Sequence, residues 1–152
     1  MPKISPFFWF DSQAEEAANF YVSVFKNSKM GSVMRYDAAA ANASGRPEGS
    51  VLTASFQLEG TDFTALNGGP NYKFSPAISF VITCEDQAEI DYYWERLSAV
   101  PEAEACGWLV DKFGVSWQVV PKNLDELISS PTGMKAMLQM KKFNIQELKD
   151  AA

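Results

Sequence analysis

Two stretches of the chain share one rhythm of hydrophobic and polar positions. Ser5-Pro6-Phe7-Phe8-Trp9-Phe10-Asp11-Ser12-Gln13-Ala14-Glu15 stands near the start, and Ser79-Phe80-Val81-Ile82-Thr83-Cys84-Glu85-Asp86-Gln87-Ala88-Glu89 repeats its plan just past the midpoint. In each, an apolar run of strand length meets an acidic turn and then a helix opener. Ser12-x-x-Glu15 and Asp86-x-x-Glu89 have the spacing of capping boxes, whose side chains satisfy backbone N–H groups at a helix start. Ala14, Ala17, Ala18, Tyr21 and Phe25 then recur at helical spacing, as do Ile90, Tyr93, Trp94 and Leu97 in the second copy. A duplicated strand-helix unit divides the chain into two similar modules and suggests a pocket built from two half-sites.

The rest of the pattern fills in the modules. Gly31 to Asp37 reads as a strand, and Ala38 to Gly49 as a flexible connection. In Ser50 to Leu58, Leu52, Ala54, Phe56 and Leu58 alternate with Val51, Thr53, Ser55 and Gln57, which predicts a strand with one packed face and one polar face. Glu59-Gly60-Thr61 turns the chain back through Phe63 to Leu66 as a hairpin partner, and Asn67-Gly68-Gly69-Pro70-Asn71 joins the modules. In the second half, Gly107 to Val110 and Val115 to Val120 are strands around a turn at Asp111-Lys112-Phe113-Gly114, with Pro121 as the stop. Beyond it Leu124, Leu127 and Ile128 form a helical stripe, Ser130-Pro131 reads as a cap with proline in the first turn, and Asn144-x-x-Glu147 caps a last helix. The predicted fold is α+β: two βαβββ-type modules, at residues 1–68 and 75–121, and a helical tail at 122–152, packed as one unit.

Composition narrows the chemistry. A length of 152 residues suffices to bury roughly 70% of the unfolded surface without staples. The net charge of −6 and pI of about 4.6 argue against nucleic acid and anionic membranes as partners. No apolar run approaches the roughly 20 residues of a membrane span and no basic-then-apolar leader is seen, so a soluble, cytoplasmic protein is expected. Cys84 and Cys106 follow no C-x-x-C spacing and read as reduced thiols; Cys106 has no flanking base to activate it. There is no histidine, which removes histidine bases, Ser-His-Asp and Cys-His arrangements, and any metal site that needs imidazole.

Pro6-Phe-x-Trp-Phe-Asp11, Phe20-Tyr21, Leu66-Asn-Gly-Gly-Pro70, Cys106-Gly-Trp-Leu109 and Asp111-Lys-Phe-Gly-Val-Ser-Trp-Gln-Val-Val-Pro121 together resemble the PhnB-like proteins. These are often labelled demethylubiquinone methyltransferases and fall within the vicinal oxygen chelate superfamily, with glyoxalase I and bleomycin-resistance proteins. The resemblance extends to the tail around Met137-Leu-Gln-Met140-Lys-Lys142. It implies paired βαβββ modules whose curved mixed sheets enclose a pocket, commonly in a homodimer, for which Met134, Met137 and Met140 offer adaptable contact surface. It further implies that Ser5 (or Pro6) and Thr64 of the first module, with Ser79 and Gln118 of the second, occupy the positions from which metal-dependent relatives draw ligands. Strand alternation agrees: Ser5, Phe7 and Trp9 share a face, as do Ser79, Val81 and Thr83, and Ser116, Gln118 and Val120, while Phe8, Phe10, Ile82, Trp117 and Val119 face the helices.

Two serines, a threonine and a glutamine are neutral, weak ligands, so neither metal nor cofactor is expected. Gln118 either orients a ligand or satisfies a sheet neighbour. Phe7 and Trp9 either stack on a planar ligand or pack as core. Asn67, with Gly68 and Gly69 permitting close backbone approach, either lines a pocket rim or makes a tight turn. Lys73 and Arg35 either neutralise an anionic ligand or are solvated. A methyl donor of nucleotide type usually sits on a Gly-rich strand-to-helix turn, and Asp11-Ser12-Gln13 and Glu85-Asp86-Gln87 have no glycine. The leading expectation is a metal-free protein that binds an unidentified small molecule, with a glyoxalase-like lyase or isomerase, or a dioxygenase-type enzyme with a non-standard site, as the alternative.

Overall fold

Alternating burial marks the first strand of the computed structural model, which describes residues 2–152. In β1 (Phe7–Phe10), Phe8 and Phe10 are buried while Phe7 is 61% exposed. The chain continues through α1 (Ala14–Val24), β2 (Lys29–Arg35), α2 (Ala38–Ser44), β3 (Val51–Leu58) and β4 (Thr61–Asn67). These form a four-stranded mixed sheet in the order β1-β4-β3-β2, with β1 parallel to β4 and the other neighbours antiparallel. Ala14, Ala17, Ala18, Tyr21 and Val24 bury one stripe of α1 against the sheet. There Phe56 stacks on Phe63 with ring centroids 5.2 Å apart, and Phe8 leans on Phe63 at 5.6 Å. Such ring pairs add about 0.5–1.5 kcal/mol each beyond the area they bury.

Two local features differ from the sequence expectation. The Ser12/Glu15 capping box does not form: α1 begins after Gln13, whose side chain makes no cap, and the N–H of Ala14 instead donates to Asn67 Oδ1 at 2.8 Å. A strand end thus caps the helix, which a local sequence window cannot see. The stretch expected as a flexible connection contains α2, because a run of alanines has the highest helix propensity and both ends are capped. Asp37 accepts from the Ala40 N–H at 2.8 Å, and Gly45 closes the helix in the left-handed conformation.

The chain divides between Lys73 and Phe74 into two units. The second holds β5 (Phe80–Cys84), α3 (Gln87–Leu97), β6 (Trp108–Val110), β7 (Ser116–Pro121), α4 (Leu124–Leu127), α5 (Pro131–Leu138) and α6 (Ile145–Ala151). Its mixed sheet has the order β5-β7-β6, with β5 parallel to β7. It carries one strand fewer than the first sheet, since the chain between α3 and β6 is spent on a 3-10 turn at Pro101–Ala103. The Asp86 cap forms as read, accepting from Glu89 N–H at 2.9 Å, and Ile90, Tyr93 and Leu97 are the buried stripe of α3. Ser130 and Asn144 cap α5 and α6 as expected.

The tail is part of this unit. Cys106 and Gly107 donate their N–H groups to the carbonyls of Met140 and Lys141, both at 2.8 Å. Phe143 is buried against Gly107, where a Cβ would lie 2.6 Å from its ring, so only glycine fits, and at positive φ. Among the described residues no helix is long and apolar enough to cross a membrane.

Candidate functional site

The outward faces of the two sheets carry the candidate residues. In the first unit Phe7 pairs with Thr64 and Trp9 with Leu66 across β1 and β4. Thr64 N–H donates to Pro6 O at 3.1 Å, which brings Ser5 to the same edge. Ser5 and Thr64 both line a cavity of about 330 Å³, together with Lys29, Ser32, Ser55, Gln57 and Asp62. The polar residues of β3 supply its floor, the face opposite Ala54, Phe56 and Leu58. Sequence reading recognised that amphipathic face but not that it lines a cavity; the run Thr53, Ser55, Gln57 was the available signal.

In the second unit the structure joins the other two candidates. Val81 pairs with Gln118 in the β5-β7 register, and Gln118 Nε2 donates to Ser79 Oγ at 3.0 Å. The amide is thereby oriented, leaving its oxygen and the serine proton for another partner. Two residues earlier, the buried Ser116 Oγ has no hydrogen-bond partner among the described residues.

Trp9 and Asn67 stand apart from these pairs. The indole N–H of Trp9 donates to Gly69 O at 2.9 Å, and its ring lies so close to Gly68 that a Cβ there would be 2.4 Å away. Tyr72 meets the same ring edge-on at 4.9 Å. The close approach that the two glycines permit is therefore made by this chain's own tryptophan. Asn67 is buried on the helix side: its oxygen caps α1, its Nδ2 donates to Val51 O at 3.1 Å, and its carbonyl accepts from Tyr36 OH at 2.6 Å. Its side chain holds β4, β3 and α1 together. Arg35 donates to Gly49 O at 3.1 Å on the protein surface.

Neither cysteine is placed for nucleophilic work. Cys84 is buried, and burial, reinforced by Glu89 and Asp86, pushes its thiol up to about 12. Cys106 sits at positive φ in the turn that the tail covers. Asp111 is buried with its carboxylate fully engaged, accepting from the N–H groups of Phe113 and Val115 and from Trp117 Nε1 at 2.8, 3.1 and 2.8 Å. It organises the hairpin turn. Among the described residues no three or more Cys, Asp or Glu cluster as metal ligands would.

Two mixed sheets, each opened by a strand and a helix, give the fold of the glyoxalase/bleomycin-resistance class. Residues 2–120 match the model of the 3-demethylubiquinone-9 3-methyltransferase family, and the chain belongs to that family, the PhnB-like proteins. The match ends before α4, so the tail around Met137 to Lys142 lies outside it. The PhnB protein from Bacillus cereus is similar at 39% identity, with 79% of this chain and 99% of that one covered and a TM-score of 0.65. Two further solved structures are similar in fold. Protein PA1353 from Pseudomonas aeruginosa is 18% identical, with 80% of this chain and 98% of that one covered and a TM-score of 0.59. The glyoxylase/bleomycin resistance protein/dioxygenase domain from Frankia sp. EAN1pec is 13% identical, with 80% and 92% covered and a TM-score of 0.50. No protein of curated function matches the chain.

Proposed function

We propose that this protein binds a small organic molecule without a metal. The observation that carries the proposal is the chemistry of the four donor positions: Ser5 and Thr64 beside one cavity, and Ser79 hydrogen-bonded to Gln118. All four are neutral. Divalent transition metals are held by imidazole, thiolate or carboxylate, whose charge or basicity offsets the loss of hydrating water, and hydroxyls and a carboxamide do not supply this. The same groups are well suited to orient the carbonyl or hydroxyl groups of an organic ligand.

Methyl transfer, which the family description names, is not part of the proposal. The β1-α1 and β5-α3 turns, Asp11-Ser12-Gln13 and Glu85-Asp86, hold no glycine to bring a nucleotide-like donor close, and they carry negative charge. The reading includes a cytoplasmic homodimer. Ile4, Phe7, Ile78 and Val81 are exposed at matching places of the two copies of the strand motif, and a second subunit would cover such apolar residues. A native mass spectrum of freshly purified protein tests both parts. The expected species is a dimer carrying non-covalent organic mass and no metal. A monomer would remove the dimer, and turnover of a substrate that requires added metal would replace binding by the lyase, isomerase or dioxygenase alternative.

A further inference from the structure

The cavity of the first unit has a charge pattern that the four donor positions do not explain. Lys29 of β2 pairs with Gln57 of β3, and Gln57 with Asp62 of β4, so the three stand in one row across the sheet. All three line the cavity. At about 4.8 Å per strand, the backbones of Lys29 and Asp62 are about 10 Å apart, with the glutamine between them. Gln57 Nε2 donates to Asp62 Oδ1 at 2.9 Å. The ion pairs among the described residues join Arg46 to Asp11, Lys122 to Glu85 and Lys142 to Asp91, so among those residues Lys29 and Asp62 pair neither with each other nor with another charge.

One wall of the cavity therefore carries opposite charges at its two ends, positive at β2 and negative at β4. A purely anionic ligand would meet Asp62 and a purely cationic one Lys29, each at a cost in like-charge contact. The ligand that satisfies both ends carries both charges. The next row of the sheet adds the remaining features. Ser55 pairs with Thr64 and Thr64 with Phe7, giving two hydroxyls in the lining and, on the neighbouring strand just outside it, a phenyl ring 61% exposed. Opposite Ser55 the β2 register shifts at Gly31 and Ser32, a bulge at the edge of the cavity; a Cβ on Gly31 would lie 3.1 Å from Ser55 O.

We infer that this cavity binds a small zwitterion of the α-amino-acid class, its carboxylate toward Lys29, its ammonium toward Asp62 and an aromatic side chain along Phe7. The inference rests on the small-molecule-binding reading and names its ligand. The full-length protein is titrated calorimetrically with L-phenylalanine, N-acetyl-L-phenylalanine and L-phenylalaninamide, which carry both charges, the negative one alone and the positive one alone. L-Phenylalanine is expected to bind at least about tenfold more tightly than either capped form, the effect of one charge-assisted hydrogen bond. Asp62→Asn should abolish the preference over the N-acetyl form and Lys29→Met the preference over the amide, each leaving the other intact. Equal binding of all three probes, or binding of none, overturns the amino-acid assignment. If none binds while the native mass spectrum shows bound organic mass, the ligand class falls and the binding reading stands; if both are negative, both fall.

Discussion

Cys84 shows how far a single residue's environment departs from what its neighbours in sequence announce. It ends β5 beside two acidic residues, yet its side chain is buried and its thiol stays neutral up to about 12. In the unfolded chain the same thiol ionises near its ordinary value of 9.0. Between those values the unfolded state holds fewer protons than the native one, so stability falls as pH rises; below the lower value the contribution is fully present. Wild-type protein should lose up to about 2 kcal/mol more between pH 7.5 and 10.5 than Cys84→Ala. Urea unfolding of both proteins at both pH values measures this, and parallel losses would count against it. At the same scale, the face that Gln118 presents was legible because alternation along β7 fixes it. The buried position of Asn67 was not: its neighbours Gly68 and Gly69 announce a rim or a turn, whereas its partners Ala14 and Val51 are distant in sequence.

Among the elements, those with local signals were readable and those held by remote partners were not. The β3-β4 hairpin, the Asp86 cap and the α3 stripe follow from spacing alone. The attachment of the tail does not, because it runs through Gln87, a residue that sequence reading placed only in a helix opener. Gln87 Nε2 donates to Phe143 O at 2.9 Å, and its Oε1 accepts from Ile145 N–H at 2.8 Å, so one side chain grips the backbone on both sides of Asn144. Asp91 completes the clasp, bonding Gln87 and pairing with Lys142 at 2.7 Å. In Gln87→Ala two polar backbone groups of the tail lose their partners, at about 1–3 kcal/mol each where they are shielded from water. The expected outcome is faster amide exchange in α6 and faster tryptic cleavage after Lys141 and Lys142, with exchange in β3 and β4 unchanged. Unaltered protection of α6 would show that burial of Phe143 and Leu148, with the Cys106 and Gly107 hydrogen bonds to Met140 and Lys141, secures the tail without Gln87.

At the scale of the whole molecule, the duplication gives the plan of both sheets, while the proposed function turns on the neutral side chains of Ser5, Thr64, Ser79 and Gln118. A metal bound to the native state but not to the unfolded chain stabilises in proportion to how far its free concentration exceeds its dissociation constant; at a hundredfold excess this is about 2.7 kcal/mol, several degrees of Tm for a protein of this size. Hydroxyl and carboxamide oxygens compete poorly with water for zinc, nickel, manganese or iron, so that term should be missing here. The stability must instead come from the two sheet-helix cores, with Tyr21, Phe56 and Phe63 in one and Ile90, Leu109 and Val119 in the other, which no chelator touches. Protein prepared without added metal should therefore contain no stoichiometric transition metal by elemental analysis, and its Tm should be the same with and without a strong chelator. About one metal per chain, removed by chelation together with several degrees of Tm, would mean that neutral donors are supplemented by groups from outside the four positions, and would restore metal-dependent catalysis as the function of the fold.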